Sequence, residues 1–159
     1  MQEHVIETNE GPFTAWFTDR GLARLDFPNH KTPPAQAAEA ASPQLRAWLQ
    51  LTATALQEVL RGNTPAKLPP LDLSRGTPFQ VSVWKVLTQI PSGQTRSYSQ
   101  IAAAIGQTRA VRAVGGACGE NPIPVLIPCH RVLPKNGGLG GFSGGLHWKR
   151  RLLQIEQRG

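Results

Sequence analysis

"SYSQIAAAIGQTRAVRAVGGACGEN", residues 97–121, is the stretch whose reading decides the fold. Ser97 stands where a helix N-cap belongs, ahead of "YSQIAAAI", and Gly106 closes that segment. Thr108 is placed to cap a second segment, "RAVRAVGGACGEN", which the following "NP" must end because proline cannot continue a helix. Two short helices joined by a tight glycine-containing turn read as a helix-turn-helix, whose second helix enters a nucleic acid groove. An ordinary pair of core helices carries the same local signature, so the turn alone leaves both readings open.

The second helix has an unusual composition. Gly115 and Gly116 fall in its middle, where each costs roughly 1 kcal/mol relative to alanine. With Ala110, Ala113 and Ala117 they make a nearly bare surface that a backbone, a neighbouring helix or a groove could approach closely. Arg112 is the long cation left standing on it, either reaching into a duplex or simply solvated.

Charge sharpens the contrast between the two halves of the 159 residues. Residues 1–73 hold 6 Lys+Arg against 8 Asp+Glu, and residues 74–159 hold 11 against 2, which gives −2 and +9. A local basic excess suits a module that meets polyanions. The basic residues are scattered rather than consecutive, so charge alone fits a partnerless basic surface equally well. The opening "MQEHVIETNE" has neither a signal nor a transit pattern, and no stretch is long and apolar enough to span a bilayer. These features predict a cytoplasmic protein, associated with the nucleoid in a prokaryote. Two cysteines eleven positions apart do not suggest a disulfide framework.

Working outward toward the N-terminus, "HVIETN", "FTAWFT" and "GLARLDF" read as short strands separated by the turn-forming "EGP" and "DRG", an antiparallel meander. "PNHKTPPAQAAEAA", residues 28–41, reads as a surface connection. Ser42 and Pro43 open a helix whose Leu45, Trp48, Leu49, Leu56, Val59 and Leu60 form an apolar stripe before Gly62. "NTPAKLPPLDLSRG" then reads as an interdomain link. The resulting expectation is an α+β chain. Residues 1–73 form a small antiparallel-sheet-plus-helix domain, and residues 74–159 a mainly helical one carrying the helix-turn-helix.

In the second half, Thr77 and Pro78 open a helix with Phe79, Val83, Trp84, Leu87 and Ile90 on one face, stopped by "PSG". A last helix, roughly 146–157, is expected to bury Leu146, Leu152, Leu153 and Trp148 and to leave Lys149, Arg150 and Arg151 outside. Before it runs a loop with glycines at 137, 138, 140, 141, 144 and 145; it lacks the Lys-Ser/Thr pair of a phosphate-binding P-loop.

Between these elements lies "PVLIPCHRVLP", residues 124–134. Sulfur attacks well only as thiolate, so a reactive Cys129 needs a base or cation to lower its pKa from about 8.5. His130 is the adjacent candidate, but neighbours on an extended strand point to opposite faces. Contact therefore requires a turn or a bridging water. A histidine base also needs an orienting acceptor, and Glu156 is one of only two acids in the basic half; a surface carboxylate near a helix end is an equally good reading of it. Cys118, Cys129, His130 and His147 lack metal-ligand spacing, so no metal is expected. A cysteine hydrolase would use the same residue types, but with partners far apart in sequence.

"GTPFQVSVWKVLTQIPSGQTRSYSQIA", "RAVRAVGGACGENPIPVLIPCHRVL" and "GGLGGFSGGLHWKRRLLQIE" resemble the O6-alkylguanine-DNA alkyltransferases, continuously from about Gly76 to Glu156 and most specifically at "PCHR". The resemblance implies a winged-helix-like second domain and a ribonuclease-H-like first domain, for which the first 73 residues match only in size and element order. It implies direct-reversal repair in which Cys129 takes the alkyl group of an O6-alkylguanine flipped out of duplex DNA, once per molecule, with no cofactor. His130 would activate the thiol through water, Glu156 would fix the imidazole, Asn121 would tie the helix-turn-helix to the thiol segment, and Tyr98 would protonate the departing base. Val132, Ser143 and Pro124 would line the base pocket. Arg112, Ala113, Gly115 and Gly116, with Thr95 and Arg96, would meet DNA through the minor groove, Arg112 filling the space of the flipped base. A monomer with no membrane partner is implied.

Some family members hold structural zinc in the first domain, but that half has no cysteine here. Phe142 stands where many members have tyrosine, and Cys118 is expected to be unreactive because no histidine adjoins it. The alternatives are a noncatalytic alkylated-DNA-binding relative, which would lack the acceptor cysteine, and a helix-turn-helix regulator, which would carry a further domain.

Overall fold

A computed structural model describes residues 1–28, 41–140, 142 and 144–157. Strands β1 (Gln2–Thr8), β2 (Gly11–Thr18) and β3 (Gly21–Asp26) form an antiparallel sheet in the order β1-β2-β3. Phe13, Ala15 and Phe17 alternate inward along β2, and Leu22 and Leu25 of β3 join them in the core. Helix α1 (Pro43–Leu60) starts as the sequence predicts: Ser42 Oγ accepts from Leu45 N at 3.1 Å, with Pro43 in the first turn.

The passage read as a link, residues 63–76, lies docked along the sheet. Leu22 N donates to Pro70 O and Asp72 N to Leu22 O, both at 2.8 Å, so the passage adds a parallel bridge beside β3. Gly21 permits this approach, because a Cβ there would lie 2.2 Å from Pro70 O.

In the second half, α2 (Pro78–Leu87) and α3 (Tyr98–Ala104) each begin with a capping box, Thr77 with Gln80 and Ser97 with Gln100. Helix α4 (Val111–Gly119) follows α3, and a parallel pair, β4 (Arg96–Ser97) with β5 (Val132–Leu133), closes the module. Trp84 on α2 donates its indole N–H to Ala117 O on α4 at 2.8 Å, fixing the second helix of the pair. Helix α5 (Leu146–Gln157) completes the fold.

Three expectations are corrected. Helix α4 starts at Val111, with Ala110 in the cap position and no side-chain cap; Ala110 N bonds Gln107 O in the preceding turn, which consumes Thr108. Helix α2 ends at Leu87, and Ile90 enters the core from the turn beyond it. On α5, Leu146 is 48% exposed, whereas Lys149 is fully buried. Helical spacing puts Lys149, Leu152 and Glu156 on one inward face, and Lys149 Nζ finds an acceptor there in Val132 O at 2.8 Å.

The halves share one hydrophobic cluster, running from Phe13, Leu22 and Leu56 to Leu87, Ile101, Ile127 and Leu152. Leu25 N donates to Pro122 O at 3.0 Å, and Arg151 donates to both carboxylate oxygens of Glu10, the shorter bond 2.6 Å. The first half is thereby docked against the segment leading to Cys129.

Candidate active site

Residues 121–128 cross the core as a series of tight turns. Val125 has φ +75°, the only positive value at a non-glycine among the described residues and an uncommon state for a β-branched side chain. Asn121 holds this shape from within: Oδ1 accepts from Ile123 N at 3.0 Å, and Nδ2 donates to Ile127 O at 2.8 Å and to Cys129 Sγ at 3.1 Å. One side chain, at the end of the helix-turn-helix, thus shapes the turn and touches the thiol.

Cys129–Arg131 form a single 3-10 turn after Pro128. That turn answers the problem of adjacent Cys and His side chains, but no direct bond joins them. His130 Nε2 pairs with Glu156 Oε2 at 2.9 Å, and Nδ1 is buried without a hydrogen-bond partner among the described residues. Arg131 lies on the other side of Glu156, with Nε 2.9 Å from Oε1, NH2 2.7 Å from Oε2, and NH1 2.6 Å from Ile90 O. Cys129, His130, Arg131 and Glu156 are each at most 4% exposed.

The electrostatics follow from burial and pairing. Burial would raise the Glu156 pKa, but hydrogen bonds from His130 and Arg131, with the Arg131 charge, outweigh it and hold the carboxyl at about 2. Burial pushes the His130 pKa down, so the imidazole is neutral. A carboxylate only accepts, so the imidazole proton sits on Nε2 and Nδ1 presents a lone pair. Burial pushes the Cys129 thiol up to about 11, with the Asn121 amide and the Lys149 charge opposing it. The resting thiol is therefore protonated, which corrects the expectation of a lowered pKa; sequence shows the neighbours that would lower it but not the desolvation that raises it. Tyr98 is pushed up to about 12, chiefly by burial and then by the two cysteines, and so keeps its phenolic proton.

The other residues named from sequence fall into two groups. Val132 and Pro124 are buried beside the thiol segment. Arg112, Ala113 and Gly116 lie exposed on α4, with Gly115 partly covered by Tyr98, while Val114, Ala117 and Cys118 face inward. Thr95 is exposed before β4, and Arg96 bonds back to Thr95 O and Gln94 Oε1, both at 3.0 Å. Ser143 lies outside the described residues. Cys118, 1% exposed, is pushed up to about 12, by burial first.

Sequence reasoning missed two site residues. Arg131 stands directly after His130 in a half with only two acids, which was the available hint. Lys149 gave no hint, because a cation within "KRR" normally faces water. Its ammonium lies 5.9 Å from the centre of the Tyr98 ring, within cation–π range. Among the described residues, no group of three or more His, Cys, Asp or Glu could hold a metal.

Comparison with known proteins gives this arrangement a context. Residues 78–158 match the profile described as 6-O-methylguanine DNA methyltransferase, DNA binding domain. A methylated-DNA–protein-cysteine methyltransferase of Methanosarcina barkeri is 40% identical over 163 aligned positions, covering 99% of this chain and 98% of that protein. One from Mycobacterium bovis is 55% identical over 87 positions, covering 55% and 52% of the two chains. The crystal structure of Mycobacterium tuberculosis OGT in complex with DNA superposes with a TM-score of 0.74 at 39% identity, over 99% of this chain and 94% of that one. With its profile match across the second half and its similarity to the Methanosarcina protein along nearly the whole length, the chain belongs to the methylated-DNA–protein-cysteine methyltransferase family.

Proposed function

We propose that this chain repairs DNA by moving the alkyl group of an O6-alkylguanine, flipped out of the duplex, onto Cys129 Sγ. The observation that carries the reading is the set of bonds running Asn121–Cys129 and His130–Glu156–Arg131, which leaves His130 Nδ1 as an unpaired buried base in the residue next to the thiol. A thiol with a pKa of about 11 has to lose its proton during the reaction. Nδ1 receives it through a bridging water, and the Glu156 carboxylate stabilises the imidazolium that results.

Sulfur then attacks the alkyl carbon in line with O6. The S–C bond forms, the C–O6 bond breaks, and its electron pair leaves with the guanine. Tyr98, still protonated at neutral pH, donates its proton to the departing base. Val132, Pro124 and Ser143 serve the base pocket. The product is a thioether that nothing in the site can hydrolyse, so each molecule reacts once and uses no cofactor.

The target atom lies inside a base stack, so the nucleotide must leave the helix. The exposed face of α4 suits a minor-groove approach. Among the described residues a Cβ at Gly116 or Gly119 would meet nothing within 4 Å, so packing there does not call for glycine, and the small residues serve an outside partner. Arg112, exposed on that face, takes the place of the extruded base. Ala113, Gly115, Thr95 and Arg96 complete the contact, and the protein acts as a monomer.

The deciding experiment incubates the protein with duplex DNA containing O6-methylguanine and maps the modified peptide by mass spectrometry. One methyl per molecule on Cys129 is expected, with Cys129→Ala binding the duplex and repairing nothing. Methyl on another residue, or sustained turnover by one molecule, would falsify the reading.

A further inference from the structure

We propose that Phe27, at the end of β3 in the first half of the chain, is a positioning residue for alkyl transfer: it clamps the segment bearing Phe142 and Gly144 onto the site. The proposal rests on the alkyl-transfer reading above. Phe27 stacks on Trp148 of α5 with centroids 4.7 Å apart at 26°, and lies 5.5 Å from Phe13 of β2 and 5.7 Å from Phe142. Phe13 also meets Trp148, edge to face at 5.8 Å. Four rings from both halves therefore converge on one point, in the offset and tilted geometries that attract.

The ring also lies against backbone. A Cβ added at Gly144 would lie 2.2 Å from Phe27 Cε2 and 2.4 Å from Cδ2, so the chain at 144 rests directly against the ring. A cavity of about 540 Å³ opens beside this contact. Phe27, Gly144 and Trp148 wall one side of it, and Asn121, Pro122 and Pro124 also line it. Asn121 is the residue whose amide touches Cys129 Sγ. Phe27 thus holds one wall of a cavity whose lining includes the residue that fixes the sulfur.

The need for such a clamp follows from composition. Glycines at 137, 138, 140, 141, 144 and 145 give this loop few side chains to pack, and glycine loses more conformational freedom on ordering than any other residue. A loop of this kind has to be held from outside, and the first half supplies the surface.

The test is the single-turnover rate of methyl transfer to Cys129 from an O6-methylguanine duplex at saturating DNA, with duplex affinity measured separately by fluorescence anisotropy. Phe27→Ala is expected to transfer roughly tenfold more slowly, as a displaced wall of the site predicts, with a Kd within about twofold of the parent because none of Arg112, Ala113, Gly115 and Gly116 lines the cavity that Phe27 walls. Phe27→Leu should recover most of the rate. Gly144→Ala should be slow in the parent, where its methyl meets the ring. It should be faster in the Phe27→Ala background, where that space is empty. A parental rate for Phe27→Ala, or a double variant no faster than Gly144→Ala alone, would overturn the proposal. If Phe27→Ala does not fold, a parental rate for Gly144→Ala overturns it and a slow one supports it. A parent that transfers no methyl at all sinks the alkyl-transfer reading itself, whereas an active parent with indifferent variants sinks only the clamp.

Discussion

The exposed face of α4 and the buried cluster around Cys129 are built on opposite principles. On α4, Arg112, Ala113, Gly116 and Gly119 are open to solvent, and no neighbour among the described residues accounts for the glycine at 116. Around Cys129 nearly everything is sealed, and the carboxylate, guanidinium, amide and ammonium all have partners. One region presents a bare face to the outside; the other pairs its charged groups within the fold and leaves one buried imidazole nitrogen, His130 Nδ1, without a partner among the described residues. Recognition and chemistry should therefore be separable by mutation.

The largest expected effect lies in the sealed region. Arg131→Met removes the guanidinium that forks Glu156 and leaves a buried carboxylate short of its charged partner. A loss of about 3–5 kcal/mol of stability is expected for breaking such a pair, read as a lower denaturant midpoint. An unchanged midpoint would mean that Glu156 is hydrated, contrary to its 4% exposure.

Next in size is Arg112→Ala. Transfer from duplex DNA should fall at least about tenfold, by loss of the group proposed to fill the stack, while reaction with free O6-benzylguanine base stays at the parental rate. Equal losses on both substrates would mean that the two regions are not independent.

A smaller effect appears in acid. Glu156 has a folded pKa of about 2 against 4.5 ordinarily, so its contribution is fully present above pH 4.5 and is lost as pH falls toward 2. Asp72, held at about 2 by hydrogen bonds from Ser74 and Thr18, acts in the same direction. The Glu156 share is therefore the difference between the acid unfolding curves of the parent and Glu156→Gln; parallel curves would count against it.

The smallest effect belongs to Gly116→Ala. Among the described residues an added methyl meets nothing within 4 Å outside its own helix backbone, so helix propensity alone should stabilise the fold by up to about 1 kcal/mol, while duplex affinity weakens. A variant that is more stable and binds equally well would show that no partner approaches this face closely.

How far each feature could be read from sequence depended on the range of the interaction behind it. Ser42, Thr77 and Ser97 cap their helices through bonds to residues three positions on, and those starts were legible. Thr108 has the right chemistry, but the turn at Gln107–Ala110 uses it differently. Asn121 and Glu156 stood out through family motif and scarcity. The buried state of Lys149 did not, because its acceptor is a main-chain carbonyl 17 residues away. The protonated thiol was illegible for a related reason: desolvation is a property of the whole fold, whereas the neighbours in "PCHR" are visible in four letters.

Val125 carries one more consequence. A glycine at φ +75° would tolerate several neighbouring shapes, whereas valine resists all of them, including its own. The bend is held by the bonds that Asn121 makes to either side of it. Local comfort has been given up for a single address: the sulfur sits at the end of a sprung link latched by one side-chain amide and by the main-chain bond from Ile127 N to Ile123 O that spans it.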